Sequence, residues 1–179
     1  MTKQELAKEI YNASYIEGEF KLRSGIVSNQ YFDKYQFESD PILLKEITKY
    51  FASMLNKNHN EKNIGYDFLA GLEVGGIPIA TALGINMNIP MVFVRKNAKE
   101  YGTAKLVEGP DIKNKKLLIV EDVVTSGGQI IKSVQYLRNE GALITHAICV
   151  IDREQGGKEA LKEIDIELLP LFTMDELKF

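Results

Sequence analysis

The sequence predicts an α/β fold in which an open, mostly parallel sheet is flanked by helices. The first observation is a repeated order of short strand, glycine-containing loop and helix, which occurs in residues 67–88 and again in residues 115–141. The second is the continuous apolar run at residues 117–120, which is typical of a strand buried on both faces of a parallel sheet. A length of 179 residues favours one domain spanning residues 1–179.

Charge and composition argue against a nucleic-acid-binding or membrane protein. Hydrophobic residues make up 45% and charged residues 26% of the chain, and the formal net charge is −3. No apolar run approaches the roughly 18 residues of a membrane span. The charged N-terminus is not a signal peptide, so we expect a cytoplasmic protein. Cys149 lies in an apolar run and is expected to be an inert core residue.

The N-terminal part, about residues 1–40, predicts a helix followed by a β-hairpin. Thr2 and Glu5 form a capping box for the helix, which we expect to end near Gly18. Apolar and aromatic residues then alternate between residues 20 and 37, with the turn near residues 24–25. The hairpin carries Lys21 and Arg23 and is either an ordinary edge hairpin or a hood over a flat, anionic ligand. Taken alone, the residues favour the edge hairpin.

The next segment predicts a helix, a strand and a second glycine loop. Asp40 and Pro41 are an N-cap and first-position pair for a helix that reaches about Lys57. A polar surface loop is expected at residues 56–63. A strand at residues 67–71 leads into a glycine loop and a helix at residues 79–88, whose N-terminus is a possible anion site. Residues 90–94 form another strand.

A polar, basic segment covers about residues 95–111. It contains Arg95, Lys96, Lys99 and Lys105 and has no clear periodicity. A loop of this length inside a compact domain is either functional or misassigned. By itself the segment suggests a disordered basic loop, but beside two glycine loops we interpret it as a flexible basic lid.

The C-terminal part predicts two further strands. An apolar strand at residues 143–151 is followed by Arg153, at its carboxyl end. Arg153 is either an ion-paired surface residue or a residue whose planar guanidinium binds a planar anion. A short helix follows at residues 158–163. The last strand, residues 166–172, contains Pro170 and is therefore expected at a sheet edge. Thr173 and Glu176 are expected to cap a final turn.

The stretch at residues 115–130 carries the strongest functional signal. Glu121 and Asp122 follow the buried strand, and a loop of threonine, serine and two glycines leads into a helix. The loop offers backbone N–H groups, hydroxyls and a helix N-terminus to a phosphate. The carboxylates repel that phosphate but suit the hydroxyls of a ribose. Acidic strand ends also occur without a ligand, but this fixed spacing favours a ligand with a sugar diol and a 5-phosphate.

At these residues the sequence resembles the type I phosphoribosyltransferases. Their signature is a hydrophobic strand, two acidic residues, two small apolar residues and a threonine–glycine loop, and residues 117–128 fit it throughout. Further motifs, F-K-L-R-S-G, G-L-E-V-G-G-I-P, R-K-N-A-K-E-Y-G and D-R-E-Q-G-G, resemble those of the orotate phosphoribosyltransferase family in the same order. The resemblance implies an N-terminal β-hairpin hood over a core of about residues 41–179.

The resemblance also implies an activity and a set of contacts. Orotate N1 attacks C1 of phosphoribosyl diphosphate, with Mg²⁺ carried by the diphosphate and no protein metal ligand. A homodimer shares the basic loop between subunits. The implied catalytic residues are Lys99 and Asp122. The implied orotate contacts are Arg23, Tyr31, Phe32, Thr125 and Arg153. The implied phosphoribosyl diphosphate contacts are Glu73, Val74, Gly75, Gly76, Arg95, Lys96, Lys99, Tyr101, Glu121, Asp122, Val123, Val124, Thr125, Ser126, Gly127, Gly128 and Gln129.

Two positions depart from the family pattern. Gly75 replaces a lysine found in many relatives, and Tyr101 replaces a histidine, which removes a group that titrates near neutrality. Two alternatives therefore remain beside orotate transfer. One is a phosphoribosyltransferase for a purine or another pyrimidine, and the other is a non-catalytic regulator that binds phosphoribosyl diphosphate.

Overall fold

The computed structural model describes residues 1–21, 25, 27–62, 65–97 and 106–177. Within these residues the helices are α1 (Lys3–Ser14), α2 (Tyr35–Ser39), α3 (Pro41–Lys62), α4 (Gly76–Met87), α5 (Gly128–Asn139), α6 (Gly157–Lys162) and α7 (Met174–Leu177). The strands are β1 (Tyr15–Lys21), β2 (Val27–Phe32), β3 (Phe68–Leu72), β4 (Met91–Val94), β5 (Val107–Glu108), β6 (Lys116–Val124), β7 (Leu143–Asp152) and β8 (Glu167–Thr173). No helix among the described residues is long and apolar enough to cross a bilayer.

A six-stranded sheet with the order β5-β4-β3-β6-β7-β8 forms the centre of the molecule. All neighbouring pairs from β4 to β8 are parallel, and β5 alone runs antiparallel to its neighbour β4. The prediction of an open, mostly parallel sheet is confirmed. β6 lies at the centre of the order, with β3 on one side and β7 on the other, which explains why residues 117–120 are apolar on both faces.

Helices cover both faces of this sheet. Residues of α1, α3 and α4 form one apolar cluster with Leu118 and Val120 of β6. Residues of α5 and α6 form a second cluster with Leu117 and Ile119 on the opposite face. Cys149 is fully buried in the second cluster, as predicted. The chain thus forms three layers around one sheet.

The N-terminal helix is capped as predicted but is shorter than predicted. The Glu5 N–H donates to Thr2 Oγ1 at 3.2 Å, and the Thr2 N–H donates to Glu5 Oε2 at 2.8 Å. The expected end near Gly18 is wrong, since α1 ends at Ser14. The reason is that the Ser14 carbonyl accepts from the Asp33 N–H at 2.8 Å, and Tyr15 already pairs with β2.

The hairpin is confirmed, but its second strand ends earlier than the alternating pattern suggested. β2 stops at Phe32, and residues from Tyr35 onward form the short helix α2. Asp33 starts this turn, since its Oδ1 accepts from the Tyr35 N–H at 3.2 Å. In this helix the Phe37 side chain is completely buried.

Helix α3 begins where predicted and continues further. Asp40 Oδ1 accepts from the Ile42 N–H at 2.7 Å and the Leu43 N–H at 3.1 Å, which confirms the N-cap. The surface loop expected at residues 56–63 is wrong, because α3 runs to Lys62. The segment contains no glycine or proline, and an established helix propagates readily through such residues.

Two more predictions concern the ends of the sheet. β8 lies at the edge, as Pro170 indicated, and Thr173 and Glu176 cap α7 reciprocally. The basic loop predicted at about residues 95–111 contains the short strand β5, which pairs with β4. Residues 98–105 of that loop lie outside the described part of the chain.

Candidate active site

The carboxyl ends of β3, β4, β6 and β7 meet at one edge of the sheet, and a cavity of about 1140 Å³ opens there. The hairpin end closes one side of it. Sixteen of the residues singled out from the sequence line this cavity: Tyr31, Phe32, Glu73, Val74, Arg95, Lys96, Glu121, Asp122, Val123, Val124, Thr125, Ser126, Gly127, Gly128, Gln129 and Arg153.

The loop at residues 125–129, here called the phosphate loop, leads from β6 into α5. Its Gly127 is the N-cap of α5 at φ 75°, a left-handed conformation that favours glycine. No side chain caps α5, so its first N–H groups face the cavity without a side-chain acceptor. Thr125 and Ser126 are exposed beside them. The loop therefore has the donors and the helix dipole that bind a phosphate.

Glu121 and Asp122, here called the acidic pair, are buried at the end of β6, with 8% and 1% exposure. The Asp122 N–H donates to Glu121 Oε1 at 3.1 Å. Burial, followed by the charge of Asp122, raises the pKa of Glu121 well above its ordinary value. Burial also opposes ionisation of Asp122, but bonds with Glu121 and Glu38 and the Lys34 ammonium outweigh it and lower the pKa of Asp122. Asp122 is thus the carboxylate that stays ionised.

Two residues that sequence reasoning missed complete this acidic cluster. The ammonium of Lys34, between β2 and α2, donates to Asp122 Oδ2. Glu38 of α2 is 4% exposed, and its Oε1 has no hydrogen-bond partner among the described residues. Burial, then the interactions with Asp122, raise the pKa of Glu38 to about 9. A protonated Glu38 can donate to Asp122, so the pair shares a proton below that pH.

Residues 73–76, here called the diphosphate loop, connect β3 with α4. The Glu73 N–H donates to the Val94 carbonyl at 2.8 Å, and Glu73 Oε2 accepts from the Lys96 N–H at 2.9 Å. A Cβ on Gly76 would lie 2.2 Å from the Val120 carbonyl oxygen, so only glycine lets α4 begin this close to β6. Gly75 and Gly76 are buried and do not line the cavity.

The start of the basic loop faces the same cavity. Arg95 Nε donates to Glu108 Oε1 at 3.3 Å, which holds it against β5, and Lys96 lines the cavity beside Glu73. The sequence also singled out Lys99, Tyr101 and Lys105. These three residues lie outside the described part of the chain, as does Arg23 of the hairpin.

An aromatic side chain and an arginine face each other across the hairpin side of the cavity. The Arg153 guanidinium lies 6.0 Å from the centroid of the Phe32 ring. Its Nε is buried and has no hydrogen-bond partner within the described residues. Tyr31 is more exposed and packs on Phe20, with ring centroids 5.4 Å apart. An unpaired guanidinium donor beside an aromatic face suits a flat ligand with an anionic or carbonyl oxygen.

Residues 35–170 match the sequence model of the phosphoribosyl transferase domain. Proteins named orotate phosphoribosyltransferase are similar over nearly the whole chain. The one from Nocardioides sp. is 41% identical over 172 residues, which cover 96% of this chain and 92% of that relative. The one from Pyrococcus horikoshii is 40% identical over 176 residues, which cover 98% and 92%. This chain belongs to the orotate phosphoribosyltransferase family.

Structural comparison agrees with this assignment. A crystal structure of Mycobacterium tuberculosis orotate phosphoribosyltransferase in complex with Fe(III) dicitrate is 25% identical, covers 99% of both chains and has a TM-score of 0.83. The type I phosphoribosyltransferase fold predicted from the sequence is therefore confirmed. As a member of the orotate phosphoribosyltransferases, the chain is a pentosyltransferase enzyme.

Orotate phosphoribosyltransferase motifs in the sequence located the phosphate loop and the acidic pair but not the whole cavity. Lys34, Tyr35, Asn97 and Lys132 also line it. Lys34 could have been predicted as a cavity residue, because it closely follows the aromatic residues at the end of the hairpin. The sequence offered no cue for Glu38, because its contact with Asp122 depends on how α2 packs on α4.

Proposed function

We propose that the chain transfers the 5-phosphoribosyl group of phosphoribosyl diphosphate to N1 of orotate, giving orotidine 5'-monophosphate and diphosphate. One observation carries the choice of orotate. The buried, unpaired Nε of Arg153 beside Phe32 lies in the same cavity as the acidic pair and the phosphate loop. A carboxylated, planar base pairs this guanidinium with a negative charge, whereas a base without an anionic group offers it only neutral carbonyl oxygens.

The phosphate loop and the acidic pair bind the ribose 5-phosphate end of the substrate in this proposal. Backbone N–H groups of residues 125–129 and the Thr125 and Ser126 hydroxyls donate to the 5-phosphate. Glu121 and Asp122 accept from the ribose hydroxyls, and the lowered pKa of Asp122 keeps it an acceptor. Val123 and Val124 hold the loop in register with β7, where Val124 pairs with Asp152.

The base lies against the hairpin. Phe32 and Tyr31 provide aromatic surface, and the Arg153 fork donates to the orotate carboxylate or ring carbonyl oxygens. Thr125 lines the same cavity, and its contact with the base is proposed from its place in the sequence motif. Arg23 remains a proposed orotate contact from its place in the sequence motif.

The diphosphate faces residues 73–76 and the basic loop. Gly75 and Gly76 remain proposed contacts from their place in the sequence motif, at the N-terminus of α4, where the N-cap residue makes no side-chain hydrogen bond. Arg95, Lys96 and Tyr101 complete the proposed contacts. Lys99 is proposed to stabilise the leaving diphosphate, on the basis of its position in the basic motif. Removal of one preorganised charged donor is expected to cost about 3 kcal/mol of transition-state stabilisation.

Mg²⁺ fits this site as an ion that arrives on the diphosphate. Magnesium is usually held by substrate phosphates and water, with few protein ligands. Among the described residues no group of three or more His, Cys, Asp or Glu side chains is placed to hold a metal ion. The donor chemistry therefore suits an ion held by the diphosphate. When bound, Mg²⁺ neutralises charge on the leaving group.

The chemistry needs no nucleophile from the protein, because orotate is one. The bond from C1 to the diphosphate oxygen breaks while N1 approaches, and positive charge develops on the ribose. The protein orients the two substrates, donates to the diphosphate and excludes water that would hydrolyse the activated sugar. Closure of the basic loop is proposed to do the last two. We further propose a cytoplasmic homodimer in which this loop serves the neighbouring subunit.

The deciding test is an ultraviolet absorbance assay with phosphoribosyl diphosphate and Mg²⁺, in which orotate, uracil, hypoxanthine and adenine are offered in parallel. The proposal expects Mg²⁺-dependent consumption of orotate alone. Consumption of another base instead would keep ribose-phosphate transfer and reject orotate. A protein that binds phosphoribosyl diphosphate but consumes none of the four bases would favour the non-catalytic regulator.

A further inference from the structure

Lys34 has a position in the cavity that the division of roles above does not use. Its ammonium donates to Asp122 Oδ2, while Asp122 Oδ1 accepts from the Val123 N–H. Both oxygens of the Asp122 carboxylate are therefore engaged in the free protein. Because a carboxylate oxygen has two lone pairs, a ribose hydroxyl that approaches Asp122 Oδ2 either shares this oxygen with the Lys34 ammonium or displaces the ammonium.

The Lys34 side chain is far more exposed than that of its partner Asp122. The Lys34 side chain is 35% exposed, and that of Asp122 is 1% exposed. A lysine carries its charge on a flexible four-carbon stem, so the ammonium can reach a second partner without movement of the backbone. The Tyr35 ring centroid lies 5.3 Å from the ammonium and borders one side of its path. The Lys34 charge is thus held in place by Asp122 and not by tight packing.

Under the proposed function the diphosphate faces residues 73–76, and its negative charge would attract the displaced ammonium. Asp122 Oδ2 lies 1.6 Å from the position that a Cβ on Gly75 would take, so the Lys34 ammonium lies beside the diphosphate loop. Burial lowers the pKa of Lys34, but the charge of Asp122 and the hydrogen bond to it outweigh burial and raise this pKa above its ordinary value. Lys34 therefore remains charged and within reach of a diphosphate oxygen.

We propose that Lys34 exchanges partners during substrate binding: it neutralises Asp122 in the free enzyme and donates to the diphosphate of bound phosphoribosyl diphosphate. This inference rests on the proposed function, since it takes phosphoribosyl diphosphate as the ligand. It assigns to Lys34 a direct substrate contact. The exchange frees Asp122 for the ribose hydroxyls at the moment when the diphosphate arrives, and so it favours the complete substrate over its fragments.

Two simpler roles for Lys34 predict other changes in ligand binding when Lys34 is replaced. If Lys34 only blocked Asp122, its removal would free the carboxylate and tighten the binding of any ribose phosphate. If it only stabilised the fold, its removal would change binding of all ribose phosphates alike. The exchange predicts a loss for the ligand with a diphosphate and no loss for the ligand without one.

The test compares Lys34→Met, Lys34→Gln and Lys34→Arg with the exposed control Lys45→Met in the full chain. Calorimetric titration with Mg²⁺ gives Kd for phosphoribosyl diphosphate and for ribose 5-phosphate, which has the diol and the 5-phosphate only. For Lys34→Met and Lys34→Gln we expect Kd for phosphoribosyl diphosphate to rise on the order of tenfold to a hundredfold. Kd for ribose 5-phosphate should stay equal or fall. Lys34→Arg should retain most of the preference for phosphoribosyl diphosphate over ribose 5-phosphate.

Each contrary result has its own meaning. Unchanged or tighter binding of phosphoribosyl diphosphate by Lys34→Gln, in a wild type that binds it, overturns the exchange and leaves the proposed function standing. Equal losses for both ligands also overturn it, in favour of a structural role. A wild type that binds neither ligand overturns the proposed function and the inference together. Steady-state kinetics add a check, since KM for phosphoribosyl diphosphate should rise while KM for orotate does not.

Discussion

The guanidinium of Arg153 lies 6.0 Å from the centroid of the Phe32 ring. Phe32 ends the hairpin strand β2, and Arg153 follows β7 of the central sheet. This contact joins the hood to the core across the cavity. The Arg153 N–H donates to the Val124 carbonyl at 2.9 Å, which ties the arginine backbone to the strand that carries the acidic pair. In the proposed function, this relationship sets the position of the planar base relative to the acidic pair.

Arg153→Ala should weaken the use of orotate and spare phosphoribosyl diphosphate. A hydrogen bond to a charged group contributes about 1.5–3 kcal/mol, which corresponds to a loss of kcat/KM for orotate of roughly tenfold to a hundredfold. Arg153→Lys should retain only part of the wild-type kcat/KM for orotate, because an ammonium lacks the planar array of N–H donors of a guanidinium. Steady-state kinetics with each substrate varied in turn measure both effects. Equal kcat/KM for orotate in Arg153→Ala and wild type would show that Arg153 does not bind the orotate carboxylate.

Gly75→Ala should destabilise the site even though its backbone conformation, φ −69° and ψ −28°, suits alanine. The added Cβ would lie 1.6 Å from Asp122 Oδ2 and 2.7 Å from Glu38 Oε1. Asp122 is buried and cannot move away freely, so overpacking should cost about 1–3 kcal/mol. We expect a lower Tm and weaker binding of phosphoribosyl diphosphate.

Gly128→Ala is the matched control for the Tm measurement on Gly75→Ala. Among the described residues, a Cβ at Gly128 would meet only Ser126 Oγ, at 3.8 Å, so the fold should accept it without loss. Tm values measured side by side should therefore fall for Gly75→Ala and not for Gly128→Ala. A Gly75→Ala protein with the wild-type Tm and wild-type affinity would show that the acidic cluster adjusts to the methyl group.

The raised pKa of Glu38 predicts a pH-dependent stability. Burial and Asp122 raise this pKa from 4.5 to about 9, so between these values the folded state holds a proton that the unfolded state has lost. The stabilisation is fully present below about pH 4.5 and is lost as pH rises toward 9. Glu38→Gln removes this titration and keeps an N–H donor toward Asp122. Its Tm relative to wild type should therefore increase between pH 5.5 and pH 8.5.

The exposed Glu9 of α1 provides the control for this measurement. Glu9→Gln should shift Tm by a similar small amount at every pH. Parallel Tm curves for Glu38→Gln and wild type across the range would mean that Glu38 is ionised in the folded protein at neutral pH.

The strongest prediction of the site concerned one contiguous stretch of the chain. Residues 117–128 combine a buried strand, the acidic pair and a glycine loop, and local geometry alone places these groups at one edge of the sheet. Arg153 was predicted for the same reason, as a charged residue directly after a parallel strand. Such inferences need only the direction of strands in the sheet, which the apolar runs already indicate.

The parts that the sequence did not predict depend on contacts between distant segments. Glu38 looks like a surface residue of a polar segment, and only the packing of α2 against the start of α4 brings it to Asp122. The alternation through Phe37 also suggested a strand, whereas Asp33 starts a helical turn. Periodicity cannot separate these alternatives over so few residues.

Cys149→Ala should keep full activity and reduce stability. The thiol is fully buried, and burial first, then the nearby carboxylates, raise its pKa well above the ordinary value, so no reactive thiolate forms near neutrality. Loss of the sulfur should cost about 1 kcal/mol through looser packing. Unfolding in guanidinium chloride measures the loss of stability, and the orotate assay measures the activity. Rapid reaction of Cys149 with a thiol reagent in the native protein would contradict an inert core residue.

A mixing experiment tests whether the basic loop serves the neighbouring subunit. Lys99→Ala damages the loop, and Asp122→Asn damages the ribose site, so each variant alone should be inactive. In a homodimer with shared loops, a mixed dimer has one site that contains both defects and one that contains neither. Equal mixing with free subunit exchange should then restore about a quarter of the wild-type activity. The measurement is the orotate assay after co-refolding, with the dimer fraction determined by size-exclusion chromatography.

The control mixes Asp122→Asn with Glu121→Gln. Both residues belong to the end of β6, so every site in a mixed dimer carries one defect whichever subunit supplies the loop. This mixture should stay inactive under the same conditions. If the Lys99→Ala and Asp122→Asn mixture also stays inactive while mixed dimers form, each loop serves its own subunit. Recovery in the first mixture alone requires that Lys99 reach the Asp122 of the other chain, which gives the dimer a direct part in catalysis.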